Sequence, residues 1–186
     1  MCIIYLTTSR IPATPGIQPP QIVYVVVEIP RNSNIKYEID IQNEILYVDR
    51  VLPTSIVYPC NYGFIPKTIE SSGTDPIDVF VIENEPLVPF SVMSVHPIGV
   101  LLTEDQDGND TKVIAVPDSR VDREFSNIES ITEIPQQFQK KLEHFVQHHK
   151  DLEEGKYVRL IGWEGRDEAF RMIHEGIVRY QNRPSK

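Results

Sequence analysis

The chain has little of what several protein classes require. There are only two cysteines, Cys2 and Cys60, in 186 residues. Their separation supports neither a disulfide framework nor a zinc site, and a reducing compartment is the simplest expectation. No run of about 18 apolar residues occurs, which argues against a membrane-spanning helix. Met1 to Arg10 lacks a basic start followed by a long apolar core and is a poor match to a secretory signal, so a cytoplasmic chain is expected. The five histidines, His96, His144, His148, His149 and His174, form no HExxH spacing, and a zinc ion held by histidines is not expected. Positive charge is scarce as well. Lys and Arg number 18 against 27 Asp and Glu, for a net charge of −9. Nucleic-acid binders usually show a basic face, so no nucleic-acid partner is expected. A small anionic substrate stays open, because bound cations can reverse the local sign. Repeats and low-complexity tracts are also missing.

What is present is ordinary globular composition, 40% hydrophobic and 24% charged, at a length that fits one domain. Pro12, Pro15, Pro19, Pro20 and Gly16 mark residues 1–20 as a loose leader. Residues 21–180 read as a single domain and 181–186 as a polar tail.

Strands are expected at Gln21 to Pro30, from a β-branched run, and at Ile35 to Ile41, from strict alternation. The alternation puts Lys36, Glu38 and Asp40 on one face, which is either a solvated sheet face or a site. Glu28 is the one charge in the first strand, either facing water from an edge or aimed into a site. Further strands are expected at Ile45 to Leu52, Ile77 to Ile82, Ser91 to Thr103 with a break near Pro97-Ile98-Gly99, Lys112 to Pro117, and Lys156 to Trp163. Ile56 to Pro66 reads as aromatics around a loop, with Tyr58 and Tyr62 as core residues or ligand contacts. Asp107-Gly108 signals a hairpin turn with Asp105 and Asp110 at its two mouths. Asp118 to Pro135 is polar and irregular. A helix is expected from Pro135 to Leu152, with Phe138, Leu142, Phe145, Val146, His149 and Leu152 on its apolar face and Gly155 as the stop. A second helix spans Asp167 to Tyr180. Short connections between adjoining strands favour an antiparallel barrel or sandwich.

The chemistry centres on Ser71 to Val81. Asp75 and Asp78 flank Pro76-Ile77 where a Ser/Gly turn becomes an apolar strand. A carboxylate entering a buried strand is costly unless it is paired or binds a metal. The acidic run Glu104 to Asp110 is a natural partner for a divalent cation. It is not an EF-hand: with Gly108 at loop position 6, positions 1 and 12 fall on Thr103 and Ile114. Carboxylates in this pattern suit Mg²⁺.

Taken in order, VVVEIPRNSNIKYEID, LYVDR, YPCNYGFIP, TDPIDVFV, EDQDGNDTKVIAVP and HHKDLEEGKYV resemble the soluble inorganic pyrophosphatases of the first family, bacterial type, over about residues 21 to 180. The resemblance implies a mainly β, α+β fold: a five-stranded OB-like antiparallel barrel with two main helices packed outside it. It implies Mg²⁺-dependent hydrolysis of pyrophosphate to two phosphates by in-line attack of a water, and a homo-hexamer. It further implies Asp75 as general base, Asp78, Asp105 and Asp110 as metal ligands, and Glu28 as an acid at the rim of the metal cluster. Lys36, Arg50, Tyr62 and Lys150 match phosphate-binding positions, and Glu38, Tyr58 and Lys112 match supporting ones. Two departures from the family pattern stand out. Gly73 replaces the first aspartate of Asp-Gly-Asp-Pro-x-Asp, removing one direct metal ligand that Thr74 or a water could replace at a cost in affinity. His149 replaces the tyrosine before Lys150, and an imidazole donates to phosphate in a pH-dependent way. Competing readings are a non-catalytic OB-type binding module and a metal-dependent nucleotide phosphohydrolase.

Overall fold

The computed structural model describes residues 9–71 and 73–183, so the expectations for Cys2, for the first part of the leader and for the end of the tail lie outside the described residues. Five strands close on one another: β1 (Val23–Ile29), β4 (Asn61–Ile65), β5 (Ile77–Val81), β8 (Lys112–Pro117) and β6 (Val92–Asp105), with β6 returning to β1. This is the OB-like barrel expected from the sequence. Its seams are antiparallel apart from β5 against β8, which run parallel with Val79 opposite Val113. Full closure leaves the central strands no free edge, and every residue of β8 is buried, Lys112 included.

β6 runs unbroken through Pro97, and the expected break is a shift in register between Pro97 and Gly99. Its far end pairs with β7 (Gly108–Asn109) in a hairpin and with β9 (Val158–Gly165) along its outer side. Asp105 lies opposite Gly108, so the turn residues are Gln106-Asp107, one position before the expected pair. β2 (Ile35–Asp40) and β3 (Ile45–Val51) form a separate two-stranded ribbon. It is fastened to the barrel by Ile39 and Leu46, which pack on Val26 and Phe64.

β4 falls where the sequence suggested a loop. Gly63 explains both the misreading and the strand: a Cβ there would lie 2.0 Å from the carbonyl oxygen of Val26, so only glycine lets β4 approach β1. Helix α1 (Gln136–His148) ends four residues before the expected Leu152, and Pro135 is its N-cap. His149 is the C-cap, Leu152 is exposed, and Gly155 sits in a later turn at φ +73°. Leu142, Phe145 and Val146 bury the helix against Tyr58, Phe80 and Ile114. Helix α2 (Arg166–Gln181) covers the other core with Ala169 and Ile173, against Ile77, Val79 and Val113. The irregular stretch before α1 holds two 3₁₀ turns, the second closed by a capping box between Ser130 and Glu133. Within the leader, Ile11 is buried on Val26 and Phe64, and Tyr24 donates its N–H to the carbonyl of Pro15 at 2.8 Å. Among the described residues no helix is long and apolar enough to cross a membrane.

Candidate active site

A cavity of about 540 Å³ opens between the ribbon, the barrel and the end of α1. All the site residues expected from the sequence line it: Asp75, Asp78, Asp105 and Asp110; Lys36, Arg50, Lys112 and Lys150; Glu28 and Glu38; Tyr58, Tyr62 and His149. Period two explains much of the arrangement. Ile77 and Val79 point into the core, which turns Asp78 of β5 toward the cavity. Lys36 and Arg50 face each other across the ribbon. Asp40, which shares the face of Lys36 and Glu38 by alternation, instead caps the ribbon's turn and accepts from the N–H groups of Gln42 and Asn43 at 3.0 and 2.9 Å.

The loop before β5 is held at its base. Thr68 Oγ1 donates to the Ile65 carbonyl at 2.6 Å and accepts from the Ile77 N–H at 3.0 Å. The Glu70 N–H donates to the Asp75 carbonyl at 2.9 Å, and the Ile69 N–H donates to Gly176 of α2 at 3.0 Å. Asp75 is therefore exposed on a loop that is closed beneath it.

Charges alternate around the walls. The Lys112 ammonium, almost buried, lies between Asp78, with which it is in direct contact, and Asp110 at 2.5 Å. Burial opposes its charge, but the two carboxylates outweigh that and hold its pKa above the usual lysine value. Lys150 reaches Asp105 at 2.8 Å, and the Asp107 N–H donates to the same carboxylate at 2.8 Å. Although burial works against it, these contacts hold Asp105 below the usual carboxylate range. Lys36 contacts Glu38 at 2.5 Å and Asp49 at 3.5 Å, while Arg50 reaches Asp49 at 2.5 Å and Glu153 at 3.0 Å.

Glu28 is walled in and accepts from the Ile39 N–H at 3.0 Å. Burial, reinforced by the charges of Asp78 and Glu38, pushes its carboxyl up to about 8. Burial and Asp78 also keep the Tyr62 hydroxyl protonated far above its ordinary range, and burial does the same for Tyr58. Both remain hydrogen-bond donors at any physiological pH. His149 stacks on Phe145 with a 13° angle between the rings, and its Nδ1 lies 3.1 and 3.0 Å from the carbonyls of Phe145 and Val146. Carbonyls only accept, so Nδ1 carries the proton. Burial, helped by Lys150, lowers the pKa to about 4. The neutral ring holds its one proton on Nδ1, and a donation from Nε2 to a phosphate requires a second proton, which is the pH dependence expected of this position.

Sequence reasoning missed Glu70, which lines the cavity next to Gly73. Its carboxyl is pushed up to about 7 by burial and by Asp78. The available signal was an acidic residue on the same turn as Asp75. Gln106, Asp107 and Lys156 also line the cavity.

The donor set suits a hard divalent cation, since it consists of carboxylate oxygens. Among the described residues no three Asp, Glu, His or Cys side chains converge on one point as they stand. Lys112 accounts for this: its ammonium takes the position between Asp78 and Asp110 and marks it as favourable for positive charge. The residues present fit a metal at this end of the cavity.

Residues 25–181, from β1 to the last residue of α2, match the family model described as inorganic pyrophosphatase. The chain belongs to the inorganic pyrophosphatase family. It is 50% identical over 166 residues to the inorganic pyrophosphatase of Sulfolobus acidocaldarius, covering 89% of this chain and 95% of that one. With the inorganic pyrophosphatase of Aquifex pyrophilus it shares 46% identity over 167 residues, covering 90% and 94%. The crystal structure of the Thermus thermophilus inorganic pyrophosphatase superposes with a TM-score of 0.89 at 37% identity, covering 94% of this chain and 100% of that one. Family membership accounts for the shared barrel.

Proposed function

We propose that the chain hydrolyses inorganic pyrophosphate to two phosphates with Mg²⁺. The observation that carries this reading is the cavity itself: five basic side chains and a row of carboxylates face one space in a barrel of the inorganic pyrophosphatase family. Pyrophosphate is a dense anion whose hydrolysis depends mainly on positioning and charge neutralisation. Lys36, Arg50 and Lys150 bind its phosphoryl oxygens, and the Tyr62 hydroxyl donates to them. Arg50 offers a planar fork for two oxygens, whereas Lys36 and Lys150 act as point charges. Asp78, Asp105 and Asp110 would hold Mg²⁺, which would neutralise phosphate charge and make a water more acidic. Asp75 orients that water and accepts its proton. The water oxygen bonds to one phosphorus, the bridging P–O bond breaks, and its electron pair leaves with the second phosphate. Glu38, Tyr58 and Lys112 keep the walls charged and rigid.

On this reading residues 21–180 are the catalytic domain and the chain works as a homo-hexamer, both of which rest on the resemblance, and it works in the cytoplasm, which rests on the poor match to a secretory signal. Phosphate release from pyrophosphate in millimolar Mg²⁺, abolished by EDTA, is the expected result. A panel of pyrophosphate, tripolyphosphate and ATP checks the substrate, and light scattering checks the assembly. Purified protein that releases no phosphate from pyrophosphate would refute the proposal.

A further inference from the structure

Most carboxylates of the cavity are already engaged. Asp78 and Asp110 contact Lys112, Asp105 contacts Lys150, Glu38 contacts Lys36, and Glu28 accepts from a backbone N–H. Glu70 differs. Among the described residues no hydrogen bond or ion pair engages its side chain, yet it lines the cavity together with Asp75 and Asp78. The backbone bond from Glu70 to Asp75 fixes its starting point, and α2 anchors the residue before it through the bonds from Ile69 to Gly176 and from Arg179 to Ile69. Gly73 leaves room: a Cβ built on it would lie 3.2 Å from Glu70 Oε1, so the carboxylate sits in tight contact with the place where a side chain at position 73 would begin.

We propose that Glu70 is a ligand of the divalent cation held by Asp78, delivering across the turn the carboxylate that Gly73 cannot. The inference rests on the metal-dependent reading above. It replaces the expectation that Gly73 leaves the cation short of a ligand. A carboxylate arriving from three residues upstream supplies the same hard oxygen as one attached at position 73. The difference is reach: the glutamate stem has two methylenes, and Gly73 leaves that stem unobstructed. Gly73→Asp alone therefore crowds two like charges and brings no gain in affinity, contrary to the expectation from the sequence.

The test is Mn²⁺ binding to the full chain, read by electron paramagnetic resonance of the free ion, for the wild type, Glu70→Ala and Glu70→Ala/Gly73→Asp. Mn²⁺ is the probe because it takes the same oxygen donors as Mg²⁺. Glu70→Ala should weaken the tightest site by about 10- to 100-fold, and the double variant should regain most of the loss. An affinity within twofold of wild type in Glu70→Ala overturns the inference, as does a loss that Gly73→Asp fails to repair. Wild-type phosphate release is measured in parallel. Turnover with unchanged Mn²⁺ binding in Glu70→Ala sinks this inference alone. Loss and repair of Mn²⁺ binding in a protein that never releases phosphate sinks the hydrolase reading and supports Glu70 as a ligand.

Discussion

Glu28 makes the stability of the metal-free protein depend on pH in a direction opposite to that of a salt-bridged carboxylate. The residue is 6% exposed, and burial pushes its carboxyl up to about 8 in the folded chain, against an ordinary 4.5. Below the lower value both states hold the proton. Between the two, the unfolded chain releases a proton that the folded chain keeps, so folding stability falls as pH rises. Above the upper value the deficit is constant. The gap from 4.5 to about 8, at about 1.4 kcal/mol per pH unit, corresponds to at most about 5 kcal/mol. Glu28→Gln keeps an oxygen to accept from the Ile39 N–H and removes the ionisation. Its extra N–H₂ adds an offset that does not vary with pH. Urea unfolding of both proteins in EDTA, from about pH 5 to about pH 9, isolates the effect because other titrating groups largely cancel in the difference. Wild type should lose stability relative to the variant at up to about 1.4 kcal/mol per pH unit in mid-window. Saturating Mg²⁺ should flatten the slope, since nearby positive charge favours the carboxylate. A difference that stays level between about pH 5 and about pH 8 would show that Glu28 is not held protonated by its surroundings.

Three further outcomes are expected. Asp75→Asn should lower kcat about 10²- to 10⁴-fold in a phosphate-release assay while the melting curve stays put, because Asp75 is exposed; a variant within tenfold of wild type removes its role as base. Lys112→Met leaves Asp78 and Asp110 facing each other and should cost about 2 kcal/mol in EDTA, less than for a fully dry pair because both acids are partly wet. Mg²⁺ should then stabilise the variant more than the wild type in thermal unfolding, and equal stabilisation would contradict the placement of the cation beside these acids. His149→Phe preserves the stacking on Phe145 and should leave the shape of the pH–rate profile between about pH 6 and about pH 8 unchanged, since the imidazole is already neutral there; the loss of a limb in that range would mean that the ring titrates during turnover.

The barrel was legible wherever local pattern and tertiary role agree. The β-branched run of β1, the alternation of β2 and the apolar run of β8 each announce their strand. β4 was hidden because Pro59, Gly63 and Pro66 read as loop punctuation, and the need for glycine arises only when the backbone of Val26 comes within reach. The end of α1 was misjudged for a related reason. Residues 149–154 contain good helix formers, but Lys150 is drawn to Asp105 and Glu153 to Arg50, long-range ion pairs invisible to a local reading. The candidate site was legible through its motif residues, which come from segments far apart in sequence and meet in one cavity. Glu70 belongs to no periodic pattern, and its meaning depends on the turn that brings it back beside Asp75.

The ribbon of β2 and β3 has a mechanical consequence. It shares no backbone ladder with the barrel, although it carries Lys36 and Arg50, whereas Asp78, Asp105, Asp110 and Lys112 ride on barrel strands and their immediate hairpin. Two of the groups that grip an anion thus ride on a frame of their own, packed on the barrel through a small apolar seam and the bond from Ile39 to Glu28, while Tyr62 and Lys150 stay outside that frame. Lengthening or stiffening the ribbon's turn at residues 41–44 would re-aim the grip while leaving the cation seat in register. Substrate reach and metal affinity can therefore drift independently over evolutionary time, or be adjusted one at a time by design.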